Sequence, residues 1–142
     1  RIIKKTRYKG KLDLGLIPFA AGKEPEGISR SFNEDGSRAE WRDADGNVVQ
    51  TVEYRKGVPD GRCTLYFPRR IKRRVPYEKG LINGGVVDYW ENGEVKQKRP
   101  FRQDVLHGIE ERYDQSGKRI RTRTWQDGAP AAPPAGGTPR PK

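Results

Sequence analysis

The sequence is short of almost everything from which a reactive centre or a broad core is built. It has one cysteine, one histidine and no methionine in 142 residues. A single cysteine, Cys63, makes no internal disulfide and no cysteine zinc site, which excludes disulfide scaffolds and zinc fingers. Hydrophobic residues amount to only 32% and mean hydropathy is −1.03, too little for a large buried core. A membrane helix needs roughly 20 consecutive apolar residues. The longest apolar stretch, Leu14 to Gly22, is interrupted by Pro18. No signal peptide is visible. With no methionine even at position 1, a chain opening Arg1-Ile2-Ile3-Lys4-Lys5 is expected to be a processed or trimmed product. There is no helical period, phosphate loop, nucleotide fingerprint or metal-ligand spacing. No catalytic residues, cofactor or metal are therefore expected.

What is present is charge, glycine and aromatic rings. Three Trp, six Tyr and four Phe argue against full disorder. Net charge is +11 and unevenly spread. Residues 1–26 carry +4, 27–60 carry −2, 61–107 carry +6 and 108–142 carry +3. Such a surface favours acidic partners: nucleic acid, anionic lipid or an acidic protein face.

The glycines and aromatics repeat. From Gly61, Gly84 and Gly108, five residues lead to Tyr66, Tyr89 and Tyr113, and four more to Arg70, Gly93 and Gly117. A second aromatic follows, Tyr77, Phe101 or Trp125, and then Gly80, Asp104 or Gly128. The starting glycines are 23 and 24 residues apart. An earlier copy with an insertion reads Gly36, Trp41, Gly46, Tyr54, Gly57, Gly61, and a partial one begins at Gly27. Each unit reads as a β-hairpin. Asn92-Gly93, Asp45-Gly46 and Ser116-Gly117 carry the tight-turn signal, and the shorter loop at Arg69-Arg70 needs a different turn. The second connection, as in Tyr54 to Gly61, reads as a longer glycine-bearing turn. The expectation is an all-β antiparallel meander of tandem hairpins, period about 23–25, with roughly seven to nine strands. Trp41, Tyr66, Tyr89 and Tyr113 would form one aromatic ladder and Tyr54, Tyr77, Phe101 and Trp125 another, together making a narrow core.

This pattern, clearest in Gly84-Gly-Val-Val-Asp-Tyr-Trp-Glu-Asn-Gly93 and Gly108-Ile-Glu-Glu-Arg-Tyr-Asp-Gln-Ser-Gly117, resembles MORN-type repeats, in the variant of bacterial YwqK-like proteins. The resemblance spans about residues 36–128, with Arg70 and Asp104 departing at glycine positions. It implies a protein-interaction or membrane-associated scaffold rather than an enzyme. YwqK-like members often carry an antitoxin label and frequently lie behind secretion signals. The resemblance thus favours the bacterial cell envelope or periplasm over the cytoplasm.

The organisation expected is a basic N-terminal arm over 1–26, a repeat domain over 27–128 and a Pro/Ala/Gly-rich tail over 129–142. The tail holds 5 of the 11 prolines and reads as extended. Alternation puts Lys72 and Arg74 on the face opposite Tyr77, and Lys96 and Lys98 on the face opposite Phe101. Arg69, Arg70, Arg73 and Arg99 lie close by. Arg119, Arg121 and Arg123 share parity with Trp125, so only a bulge would join them to the stripe. These cations are the candidate partner- or anion-binding residues, since arginine grips phosphate and carboxylate bidentately. The plainer reading is a solvated sheet face that discourages aggregation. A nucleic-acid site would want exposed aromatics among the cations, whereas these rings read as core. Asp43 to Asn47 loosely resembles a calcium loop but reads as turn chemistry. His107 has no catalytic partner placed by sequence, and Glu110 and Glu111 point to opposite faces. The expected function is a non-enzymatic protein-interaction module, an accessory or structural subunit of a larger assembly. The alternative is direct binding of a polyanion, nucleic acid or anionic lipid, through the same face.

Overall fold

A computed structural model describes residues 19–132. They form one open antiparallel sheet of twelve strands, with no helix among the described residues. The strands are β1 (Ser29–Phe32), β2 (Arg38–Arg42), β3 (Val48–Arg55), β4 (Val58–Phe67), β5 (Arg70–Glu78) and β6 (Leu81–Ile82), followed by β7 (Gly84–Tyr89), β8 (Val95–Arg102), β9 (Val105–Leu106), β10 (Gly108–Tyr113), β11 (Arg119–Gln126) and β12 (Ala129–Ala131). Their order in the sheet follows the chain, with β6 and β9 pairing β5 and β8 off the main path. The chain is therefore the all-β meander of hairpin repeats that the spacing predicts. The strand count exceeds seven to nine because the second connections after β5, β8 and β11 each contribute a short strand, β6, β9 and β12.

The turns are built differently from the prediction. In the loops at 43–46, 90–93 and 114–117, the final glycine donates its N–H to the carbonyl three residues back. Gly46, Gly93 and Gly117 take φ of 87°, 93° and 95°, so each loop is a type I turn closed by a left-handed residue, not the two-residue mirror-image turn. Asp43 Oδ1 accepts the amides of Asp45 and Asn47, each at 2.9 Å. The Asn47 amide holds the Asp43 carboxyl below its usual value, committing it to the turn. The mirror-image turns stand instead at the second connection, which is tight rather than long. Both residues of Lys56-Gly57, Lys79-Gly80, Gln103-Asp104 and Asp127-Gly128 have positive φ. Asp104 replaces glycine there at φ 74°. Its carboxylate accepts the Ile82 N–H and its own N–H donates to the Ile82 carbonyl, each at 2.7 Å, bonds that offset the backbone strain. At the shorter loop, Pro68-Arg69 forms a two-residue turn with Arg69 at φ 71°.

Directly opposed residues share a face of the sheet. One face carries the buried row Ala39, Val52, Cys63, Val75 and Val86, together with Trp41 and Leu65. We call it the inner face. Burying a side chain such as Val52 or Val75 contributes about 1.5–3 kcal/mol. Residues 19–28 lie across its N-terminal end: Phe19 and Ile28 pack on the core. The Gln50 amide donates to the Phe19 carbonyl at 2.9 Å and accepts its N–H at 3.3 Å. Trp41 Nε1 donates to Glu24 at 2.8 Å. Residues 19–26 of this strap are the described part of the expected N-terminal arm; residues 1–18, and 133–142 of the tail, lie outside the described residues.

The two aromatic ladders do not form. The second-position rings are opposed by glycines rather than by one another: Tyr77 by Gly61, Phe101 by Gly84 and Trp125 by Gly108. Glycine leaves the space that a ring on the next strand needs. The first-position set splits. Trp41 is in register with Leu65, Asp88 and Arg112, one residue out of step with Tyr66, Tyr89 and Tyr113. Trp41 is consequently fully buried, whereas the three tyrosines stand half-buried on the outer face.

Candidate functional site

The outer face of the central units is shaped by three bulges. Register breaks between Leu65 and Tyr66, Asp88 and Tyr89, and Arg112 and Tyr113, leaving Lys72, Lys96 and Ile120 as the extra residues. A bulge reverses alternation on the strand that carries it. Ile71, Val95 and Arg119 are thereby set opposite Tyr66, Tyr89 and Tyr113. The bulge that Arg119 needs to reach the stripe is present, and Arg119 Nη1 bonds Glu111 at 3.1 Å. Arg121 and Arg123 keep the parity of Trp125 and stay on the inner face.

The remaining candidates divide the same way. Arg74, Val87 and Lys98 occupy one outer row. The Arg74 guanidinium lies 5.7 Å from the Tyr89 ring centre and the Lys98 ammonium 5.8 Å from that of Tyr113. The bulge lysines repeat the motif within each hairpin: Lys72 is 5.7 Å from Phe67 and Lys96 is 4.8 Å from Trp90. Cation–π contacts at such exposed sites are worth about 0.5–1 kcal/mol, so the rings hold the cations in place without neutralising them. A shallow trough of about 480 Å³ passes between Arg62, Tyr66, Arg74, Pro76, Val87 and Tyr89. Arg69 and Arg70 flank it at the turn, around a second hollow of about 420 Å³.

Arg73 and Arg99 leave the stripe altogether. They reach Asp88 on the inner face, Arg73 Nε at 2.5 Å and Arg99 Nη2 at 2.8 Å. Asp88 and Arg99 are each only 7% exposed. Burial lowers the Arg99 guanidinium from its usual value, and Asp88 opposes that shift. Neighbouring Glu110 accepts the Trp125 indole N–H at 2.6 Å and an amide N–H of Gln97. In this charged network Asp88, Arg99 and Glu110 occupy positions held in the preceding unit by the apolar Leu65, Val75 and Val86, whereas Arg73 stands where the earlier unit has Gln50. Its acidic members were not legible as partners in the sequence, because strand pairing alone brings them together. His107 is tied to the fold as well: its Nδ1 accepts the Asp127 amide at 3.2 Å. Cys63 is fully buried, and burial pushes its thiol up to about 12, which leaves no thiolate for nucleophilic chemistry near neutral pH.

The family described as a MORN repeat variant matches residues 106–127, the stretch from the end of β9 through β10 and β11. That stretch is similar to a MORN repeat, and the same glycine and aromatic marks recur in the units before it. MORN repeats are a non-enzymatic module type generally associated with protein or membrane-lipid interaction. No curated protein and no solved structure matches the chain.

Proposed function

We propose that this chain is a non-enzymatic protein-interaction module, an accessory or structural subunit of a larger assembly, that docks an acidic partner protein on its outer face. The observation that carries the reading is the paired placement of Arg74 over Tyr89 and Lys98 over Tyr113. Cations fixed over half-exposed rings offer charge for steering and apolar area for a dry contact, the combination that interface centres use. The YwqK-like resemblance supports a bacterial cell envelope or periplasm over the cytoplasm as its location. The domain division that goes with this reading is an arm over 1–26, repeats over 27–128 and a tail over 129–142.

The test is recovery from the native source with the parent chain and with R74S/K98S, at low and high salt. A protein partner that survives high salt with the parent and is lost with the variant supports the reading. A partner retained by both chains refutes the outer face as the contact.

The second reading is direct binding of a polyanion. What favours it is that Tyr66, Tyr89 and Tyr113 are half-buried on the outer face among cations, as base stacking requires. Recovery of nucleic acid or lipid alone, with affinity falling steeply against log salt, would select it.

A further inference from the structure

The inner face changes character along the sheet. From β2 to β7 its central row is Ala39, Val52, Cys63, Val75, Val86; beyond β7 it continues as Arg99, Glu110, Arg123. The next row begins Trp41, Gln50, Leu65 and ends Asp88, Gln97, Arg112, Arg121. The N-terminal end is covered by the strap over 19–28, whereas Arg121 and Arg123 at the other end are exposed. Arg112 is directly opposed by Arg121 across β10 and β11, a like-charge pairing that weakens a sheet. Among the described residues no carboxylate bridges Arg112, Arg121 or Arg123. Glu110, opposite Arg123, is taken up by the Trp125 indole and Gln97. From β5 to β11 this face holds five guanidiniums, those of Arg73, Arg99, Arg112, Arg121 and Arg123, against the carboxylates of Asp88 and Glu110.

The covered end shows how this face takes up a carboxylate from a segment laid across it. There Glu24 receives the Trp41 indole N–H at 2.8 Å and Arg30 Nη1 at 3.3 Å. At the open end the Trp125 indole N–H is already given to Glu110, and the donors on offer are guanidiniums, Arg123 at 5.7 Å from the half-buried Trp125 ring and Arg121 beside it. We propose that the C-terminal inner face, Arg112, Arg121 and Arg123 beside Trp125, binds an extended acidic segment of a partner protein with carboxylates on alternate residues, as a second strap. The spacing supports the choice. Arg121 and Arg123 are two residues apart on one strand, about 6.8 Å, which is also the repeat between alternate side chains of an extended peptide. Each guanidinium then takes one carboxylate bidentately. This site lies on the sheet face opposite the one proposed for docking above, and each can fail without the other.

The test is fluorescence anisotropy at low salt with the full chain and three labelled probes. One is the peptide Glu-Ser-Glu-Ser-Glu-Ser-Glu, one places the same four glutamates consecutively, and one is a ten-nucleotide oligo-dT. The alternating peptide should bind more tightly than the consecutive one. R121S/R123S should weaken it at least tenfold, and R74S/K98S less than threefold. Both arginines are exposed, so the fold should tolerate the change, and a thermal melt of each variant checks this. R121K/R123K, which keeps charge but loses the fork, should fall between the parent and R121S/R123S, and carries the test if the serine variant does not fold. Absence of binding, equal loss in the inner- and outer-face variants, or indifference to glutamate spacing overturns the proposal. Tighter binding of oligo-dT with the same dependence on Arg121 and Arg123 also overturns it, and gives the face to nucleic acid.

Discussion

Replacing Asp88 with alanine should be among the most damaging single changes to this sheet. Asp88 is the shared acceptor for Arg73 and Arg99, whose side chains are 17% and 8% exposed. Arg99 Nε is already buried without a hydrogen-bond partner among the described residues, so losing Nη2's acceptor leaves that guanidinium poorly satisfied. Removing one member of a buried ion pair costs about 3–5 kcal/mol, mostly because the surviving charge stays buried. With a urea dependence of about 2 kcal/mol per M, the midpoint should fall by about 2 M. The companion variant R73M/D88L/R99M extends the apolar row of Val75 and Val86 and should recover to within about 1 kcal/mol of the parent, since well-packed apolar replacements of buried ion pairs are often neutral. Urea unfolding followed by far-ultraviolet circular dichroism measures both. A shift under about 0.5 M for D88A would mean that the arginines escape to water at little cost and that the network does not hold this part of the sheet. A triple variant as unstable as D88A would refute the claim that charge, not shape, is what Asp88 supplies.

Three further outcomes follow from the same structure. G108A should cost about 1–3 kcal/mol, more than G57A, because a methyl at Gly108 meets Pro100 at 3.1 Å at φ 123° while one at Gly57 meets nothing within 4 Å; paired urea midpoints decide it. Cys63 should resist alkylation at pH 8 until the chain is unfolded in urea. Its raised pKa of about 12 against an ordinary 9.0 means that the stabilisation is intact below pH 9 and is lost as pH rises toward 12. Burial raises Tyr77 in the same direction, so a C63A chain should lose stability less steeply with pH over that window, not become independent of it. Glu24 has a lowered pKa, from its own backbone amide first and then the Trp41 indole. The strap's grip is therefore complete above the ordinary carboxylate range and lost as pH falls through the lowered value, and Trp41 fluorescence should report the release; an E24Q chain with an unchanged acid transition would contradict this.

How far the sequence reaches can be read from particular residues. The spacing of Gly61, Gly84 and Gly108 determined the meander of the last three units, because a glycine at φ above 115° stands at the same point of each. Low hydrophobicity and a single cysteine determined what the chain could not be. Strict alternation also foretold that Arg74 and Lys98 share a face, since no bulge separates them from the strand centre. Alternation failed where a bulge intervened. One extra residue at Lys72, Lys96 or Ile120 reverses every side chain beyond it, and nothing in the composition of these stretches announces it. That is why Arg119 joins the outer face while Arg121 and Arg123 do not. Trp41 faces away from the three tyrosines for a different reason: it stands in the register of Leu65, one residue before Tyr66. Only the tertiary structure decided that Arg73 and Arg99 meet Asp88, because cross-strand partners are chosen by register between segments 11 to 15 residues apart. The strap over 19–28 was equally hidden. Its hold comes from Gln50 and Trp41, residues whose spacing from it carries no period, and whose burial exists only once the sheet has formed.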